Sequence, residues 1–271
     1  MQSSLAGIRR RSLVFSVLCL VVVGGSVFAG AAAKVLKVGA SPVPHAEILN
    51  VVKPILAKDG INLQIIEFTD YVRPNLALAD RELNANFFQH VPYLETFSTE
   101  RRLNLTWVAK VHVEPMGVYS RKVKDLKSLK NGALIGIPND PTNGGRALLL
   151  IQKAGLIKLK AGSGLSATVF DIVGNPKNLK FRELEAAQLP RSLPDLDAAV
   201  INTNFALEAK LDPLKDAILI EGADSPYANV LAVRNADKNN ADIAKLAKAL
   251  QSSAVREFIR SKYKGAVVPA F

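Results

Sequence analysis

Ile61, Leu63 and Ile65 alternate with the polar Asn62 and Gln64, the two-residue period of a strand with one buried face. Ahead of it, Ile48, Val51, Val52 and Ile55 recur at helical spacing, and Gly60 ends that helix. Val35–Ala40 supplies a strand before the helix, so the patterned region opens as strand, helix, strand. A second block of the same kind begins near Ser128. Leu134–Ile137 is its first strand, and Pro138–Gly145 is a loop full of turn formers. Leu148–Ile151 then gives a buried helix with Gly155 as its C-cap. Ala198–Ile201 and Ile218–Ile220 read as further strands, and residues 242–263 carry an amphipathic helical pattern. The alternation predicts α/β architecture. Two blocks predict two units, with the chain crossing between them near Met116–Ser120 and again near Gly222–Val230.

The first thirty residues stand outside this pattern. Arg9, Arg10 and Arg11 form a basic start, Leu13–Val23 is apolar, and small residues follow to Ala33. An apolar run of this length falls short of the about 20 residues that span a bilayer. The segment reads as a signal peptide over residues 1–29, cleaved within about 29–33. Cys19, the single cysteine, follows the bulky Leu18 and is itself followed by Leu20–Val23. A lipid-attachment cysteine needs a small residue before it, so Cys19 reads as part of the apolar run. The exported chain would then contain no disulfide and no thiolate ligand.

Composition narrows the function classes. The 271 residues are 49% hydrophobic and 22% charged, enough for one large domain or two smaller ones. The net charge of +11 includes the three arginines of the signal, and the remaining Lys and Arg are scattered among 24 acidic residues. No basic stripe with interleaved aromatics emerges, so the surface reads as solvated rather than as a nucleic-acid interface. The exported part lacks G-x-S-x-G, H-E-x-x-H, a phosphate loop and a cysteine nucleophile. His45, His90 and His112 lie far apart in sequence. His112 and Glu114 share one side of a strand, but two ligands are too few for a closed zinc site.

Three features could carry chemistry. The loop ending at Arg146 follows a strand and opens a helix, where free N–H groups and the helix dipole favour an anion. Arg146, placed in the first turn, could grip a carboxylate with two hydrogen bonds, or simply face solvent. Phe68, Tyr71, Phe88, His90 and Tyr93 cluster in two turns, Phe68–Tyr71 and Asn86–Tyr93, where loops leave a sheet; they could wall a pocket or pack a core. Asn202 and Asn229 stand at strand ends, able to bind an ammonium or carboxylate or merely to end a strand.

At these residues the sequence resembles the methionine-binding (MetQ/NlpA) family of ABC-transporter substrate-binding proteins. The matching strings are Ala40–Leu49, the two aromatic turns, Pro138–Arg146, Glu185–Leu193, Val200–Asn204 and Ser225–Asn229, in order along the chain. The resemblance implies a two-lobe periplasmic-binding-protein fold of type II, with two crossover connections and a cleft between lobes. Lobe one would be residues 34–117 with 228–271, and lobe two residues 118–227. Tyr71, Phe88, His90 and Tyr93 would surround a thioether, with Phe68 as a further wall. Arg146, helped by Asn143, would hold the carboxylate, and Asn202 and Asn229 the amino-acid backbone. It implies a periplasmic monomer that captures methionine, uses no cofactor and no metal, and delivers the ligand to a membrane permease with its ATPase. The alternatives are another small amino acid, a methionine-containing dipeptide or, further off, a secreted enzyme.

Overall fold

The structure, a computed structural model, describes residues 34–222 and 226–271. The expected signal segment, Cys19 and the cleavage site lie outside the described residues, as do residues 223–225. β1 (Lys34–Ala40) leads through α1 (Glu47–Ala57) to β2 (Ile61–Glu67), which pairs with it in parallel. α1 buries Ile48, Leu49, Val52 and Leu56, while Val51 and Ile55 are half-buried. The buried face is thus turned from the predicted one, because two C-terminal helices cover the Leu49 side as well as the sheet. α2 (Arg73–Ala79), β3 (Ala85–His90), α3 (Val91–Glu100) and β4 (Leu105–Val113) complete the first pass.

β3 occupies what reads in the sequence as a turn. All six of its residues are buried, two of them amides. Asn75 Nδ2 donates to Gln89 Oε1 at 2.7 Å, Gln89 Nε2 to Asn75 Oδ1 at 2.7 Å and Asn86 Nδ2 to Asn75 Oδ1 at 2.8 Å. Amides that satisfy one another can be buried at little cost, so a polar-rich string can form an interior strand.

From Val113 the chain passes to β5 (Gly117–Tyr119), then β6 (Leu134–Pro138) and α4 (Pro141–Lys153). A two-stranded ribbon, β7 (Lys158–Leu159) with β8 (Ile172–Gly174), precedes β9 (Lys180–Leu184) and α5 (Leu189–Ser192). β10 (Ala198–Ile201), α6 (Thr203–Glu208) and β11 (Ala217–Ile220) finish a second sheet of order β11-β5-β10-β6-β9. Its core gathers Val118, Ile135, Ile137, Leu148, Ile151 and Val200.

The chain then returns. β12 (Ala228–Arg234) enters the first sheet between β4 and β3, antiparallel to both. The C-terminal helical pattern is two helices, α7 (Ala241–Leu250) and α8 (Ser253–Tyr263), parted where Ser252 caps the second. β13 (Val268–Pro269) pairs with β4, giving the order β13-β4-β12-β3-β1-β2. Two α/β lobes are therefore joined where the chain leaves β4 after Val113 and where it returns after β11. Among the described residues no helix is long and apolar enough to cross a membrane.

α4 begins earlier than the turn-forming composition of 138–145 suggests. Asp140 caps it, accepting the Asn143 N–H at 2.9 Å, and Pro141 occupies the first helical position, where its missing N–H costs nothing. Gly144 and Gly145 lie inside the helix rather than in a loop. A Cβ on Gly145 would sit 2.0 Å from the Leu165 carbonyl oxygen, so glycine is required by close packing.

Candidate ligand cavity

A cavity opens between the lobes. The first lobe contributes an aromatic wall. Tyr71 stands in the turn after β2, Phe88 and His90 at the end of β3, and Tyr93 in the first turn of α3. The Tyr71 ring lies 5.9 Å from Phe88, 5.7 Å from Tyr93 and 4.9 Å from Phe205 of the second lobe. Phe68 is not part of this wall. It packs with Leu78, Leu83 and Leu94 in a core cluster, against the bare backbone of Gly39.

The second lobe contributes polar groups. Asn143 and Arg146 come from α4 and Asn202 from the residue preceding α6, while Asn229 is added by β12 of the first sheet. The structure thus brings together all the sequence-predicted residues except Phe68. Gln89, Glu114, Thr203 and Asn204 also line the cavity and were not singled out as ligand groups. Glu114 had been noted only as a companion of His112, and the string Asn202–Asn204 was the sole signal for Asn204.

Arg146 departs from expectation in two ways. Its place is the second turn of α4, since that helix starts at Pro141. Its two-pronged grip is made on the protein itself: Nε donates to Glu221 Oε1 at 2.9 Å and Nη2 to Glu221 Oε2 at 2.5 Å. Nη2 also donates to the Glu114 carbonyl at 2.8 Å, and the guanidinium lies 4.0 Å from the Tyr227 ring centre. Nη1 makes no hydrogen bond among the described residues, and Arg146 lines the cavity, so its free donors are on that nitrogen. The helix start is partly occupied as well: the Asp140 side chain takes the Asn143 N–H, one of the amides expected to face an anion.

Asn143 is fully engaged. Its Oδ1 accepts from Asn202 Nδ2 at 2.9 Å and lies 3.1 Å from His90 Nε2, while its Nδ2 donates to Asp140. His90 Nδ1 accepts the Tyr93 N–H, so the ring is neutral with its proton on Nε2. Two cavity-lining amides keep a buried atom without a partner: the acceptor Oδ1 of Asn202 and the donor Nδ2 of Asn204. Buried polar atoms are nearly always paired, and an unpaired acceptor and donor on one cavity suit a ligand that carries both kinds of group.

Behind the cavity, His45 Nε2 lies 3.1 Å from Asn229 Oδ1 and 3.3 Å from Glu114 Oε1. His112 Nε2 is 2.7 Å from the same carboxylate oxygen. Together the three could approach a metal, their ligand atoms lying within 4.8 Å of one another. Metal-bound histidines, however, normally donate their second nitrogen to an outer partner. Here both Nδ1 atoms are buried and unpartnered, the His112 Nε2–H is taken by the carboxylate, and the His45 Nε2–H is taken by Asn229 Oδ1. The cluster is a hydrogen-bonded triad that fixes Asn229 and Glu114.

Burial keeps all three histidines neutral, lowering the pKa of His45 to about 4 and those of His90 and His112 to about 3. Burial acts oppositely on Glu114 and raises its pKa. The unfolded chain binds protons on histidine below about pH 6.5, where the folded protein does not. Stability is therefore expected to fall as pH drops below 6.5 and to keep falling until the folded-state values are reached, with Glu114 protonation offsetting part of the loss. Melting temperatures at pH 7.5, 6.5 and 5 test this, and a profile flat to pH 5 would contradict it.

Comparison with known proteins adds the lineage. The family model described as NlpA lipoprotein matches residues 36–271. The D-methionine-binding lipoprotein MetQ of Salmonella typhimurium is 45% identical over 236 residues, 86% of this chain and 87% of its own. A nutrient binding protein from Burkholderia cenocepacia, solved bound to methionine, is 51% identical with a TM-score of 0.85. The match covers 87% of this chain and 100% of that one. Lipoprotein Tp32 from Treponema pallidum is 41% identical with a TM-score of 0.85, covering 88% of this chain and 100% of its own.

Proposed function

The chain belongs to the NlpA lipoprotein family, and from that premise we propose that it is the extracytoplasmic ligand-capturing subunit of an ABC importer for methionine. The observation that carries the reading is the cavity between the lobes, aromatic on one side and furnished with unpaired polar atoms on the other. The thioether would lie among Tyr71, Phe88, His90 and Tyr93, where a polarisable sulfur gains from ring contacts. The carboxylate would meet Arg146 Nη1. The ammonium would be accepted by Asn202 Oδ1 and faced by Glu114, with Asn229 held in place by His45. Asn143 would act indirectly, by fixing His90 and Asn202.

Closure of residues 34–117 and 228–271 against 118–227 would remove the ligand from water and present the closed surface to the permease and its ATPase. Cys19 follows Leu18, which supports an unlipidated export segment even though two of the relatives named above are described as lipoproteins.

The first test is mass spectrometry of ligand released on denaturing the freshly purified protein, where methionine is expected. Calorimetry then addresses selectivity. Burying the methionine side chain is worth about 1.5–3 kcal/mol, and sulfur–aromatic contacts add about 0.3–1.5 kcal/mol that leucine cannot reproduce. Leucine is expected to bind more weakly, by about two- to tenfold. Equal affinities would remove the methionine assignment and leave another small amino acid in its place.

A further inference from the structure

Asn204 is the second residue of α6, and the two ends of its side-chain amide have opposite fates. Oδ1 accepts the Tyr71 hydroxyl across the cleft at 2.5 Å. Nδ2 is buried without a partner among the described residues, in a side chain that is 2% exposed on the cavity wall. The Glu114 carboxylate lines the same cavity. That negative charge favours a donor over a second acceptor on the free end of the amide. The Tyr71 hydroxyl then completes the arrangement by occupying the carbonyl end.

We infer that Asn204 donates through Nδ2 to the carboxylate of the bound amino acid, and that Tyr71, from the facing lobe, holds the amide in the required orientation. The inference rests on the amino-acid-binding reading above. Methionine offers two strong acceptors, its carboxylate oxygens, since the thioether accepts only weakly. Arg146 meets them with one nitrogen, because Glu221 has the other edge of the fork. A desolvated carboxylate with two oxygens requires a second donor beside that nitrogen. Asn204 is thereby a positioning and specificity residue, and Tyr71 has a role separate from its ring.

Calorimetry with L-methionine on the parent and on Asn204→Ala, Asn204→Asp, Tyr71→Phe and the Tyr71→Phe/Asn204→Ala pair tests this. Asn204→Ala is expected to weaken binding about tenfold, the cost of a lost hydrogen bond to a charged group. Asn204→Asp should weaken it further, because an acceptor would face the ligand carboxylate. Tyr71→Phe keeps the ring and should cost less than Asn204→Ala. The double variant should be no worse than Asn204→Ala, because Tyr71 acts through Asn204. Circular dichroism and melting of the free variants separate folding from binding. If the parent binds methionine and Asn204→Ala binds within twofold of it, or if the two losses add, the inference is overturned. Failure of the parent itself to bind any amino acid would instead remove the functional reading, and this inference with it.

Discussion

Replacing Arg146 by alanine is expected to weaken methionine binding by about 3–5 kcal/mol, several hundred-fold or more. In a closed cleft the ligand carboxylate loses its water, and Nη1 of Arg146 is the charged donor left to meet it. The fold should suffer too. Arg146 is 3% exposed and neutralises Glu221, whose side chain is only 13% exposed, so the alanine variant leaves a largely buried carboxylate unpaired. A stability loss of about 3 kcal/mol follows from breaking such a pair, or about 6–12 °C in melting temperature for a chain of this size. Arg146→Lys should recover part of both, because a point charge can meet one carboxylate but cannot repeat the fork on Glu221. Binding measured well below the melt of each variant separates the two effects. An alanine variant that is folded and binds within threefold of the parent would show that the carboxylate is held elsewhere.

Gly145→Ala should be the most damaging single methyl group in the second lobe. The added Cβ would lie 2.0 Å from the Leu165 carbonyl oxygen and 2.7 Å from its carbon, and neither is the movable end of a side chain. Either α4 or the segment around Leu165 must shift, at a cost of about 3 kcal/mol, the upper part of the range for overpacking. Because Arg146 is the next residue, a displaced helix also moves the guanidinium, so affinity should fall together with stability. Gly144→Ala, whose Cβ would lie 2.9 Å from the Pro138 carbonyl oxygen, should be milder. Thermal melts of the two variants beside the parent decide the matter. A Gly145→Ala protein melting within 2 °C of the parent would mean that the Leu165 segment yields freely.

Much of the frame was legible because the physics was local. Alternation in Ile61–Ile65 and the Gly60 stop mark β2, and the φ of Gly60, +72°, explains why glycine ends the preceding helix. β3 was illegible for the opposite reason. Asn86 and Gln89 look like turn residues until Asn75, eleven and fourteen positions away, is seen to satisfy them. The start of α4 was hidden in the same manner: two glycines that read as a loop sit in a helix because the Pro138 carbonyl, at Gly144, and the Leu165 carbonyl, at Gly145, leave no room for a side chain.

The site shows the same division. Aromatics in two strings could be grouped from sequence, although Phe68 went to the core because Gly39 leaves a flat backbone for its ring to cover. The partners that set the chemistry lie far away along the chain. Glu221 is 75 residues from Arg146, and Asn204 is 133 from Tyr71. No spacing rule reaches across such separations, so the occupied fork of Arg146 and the free donor of Asn204 emerge only from the fold.

The path of the chain has a consequence for how the protein is made. β12 lies inside the first sheet, between β4 and β3, so that sheet stays open until residues 228–234 are available. The second sheet is drawn from one uninterrupted stretch, residues 117–220. A chain emerging N-terminus first through a membrane pore would therefore complete its second lobe while the first still shows unpaired strand edges. Those edges would be the surface that a holding chaperone must cover during export, and the arrival of β12 would be the event that releases it.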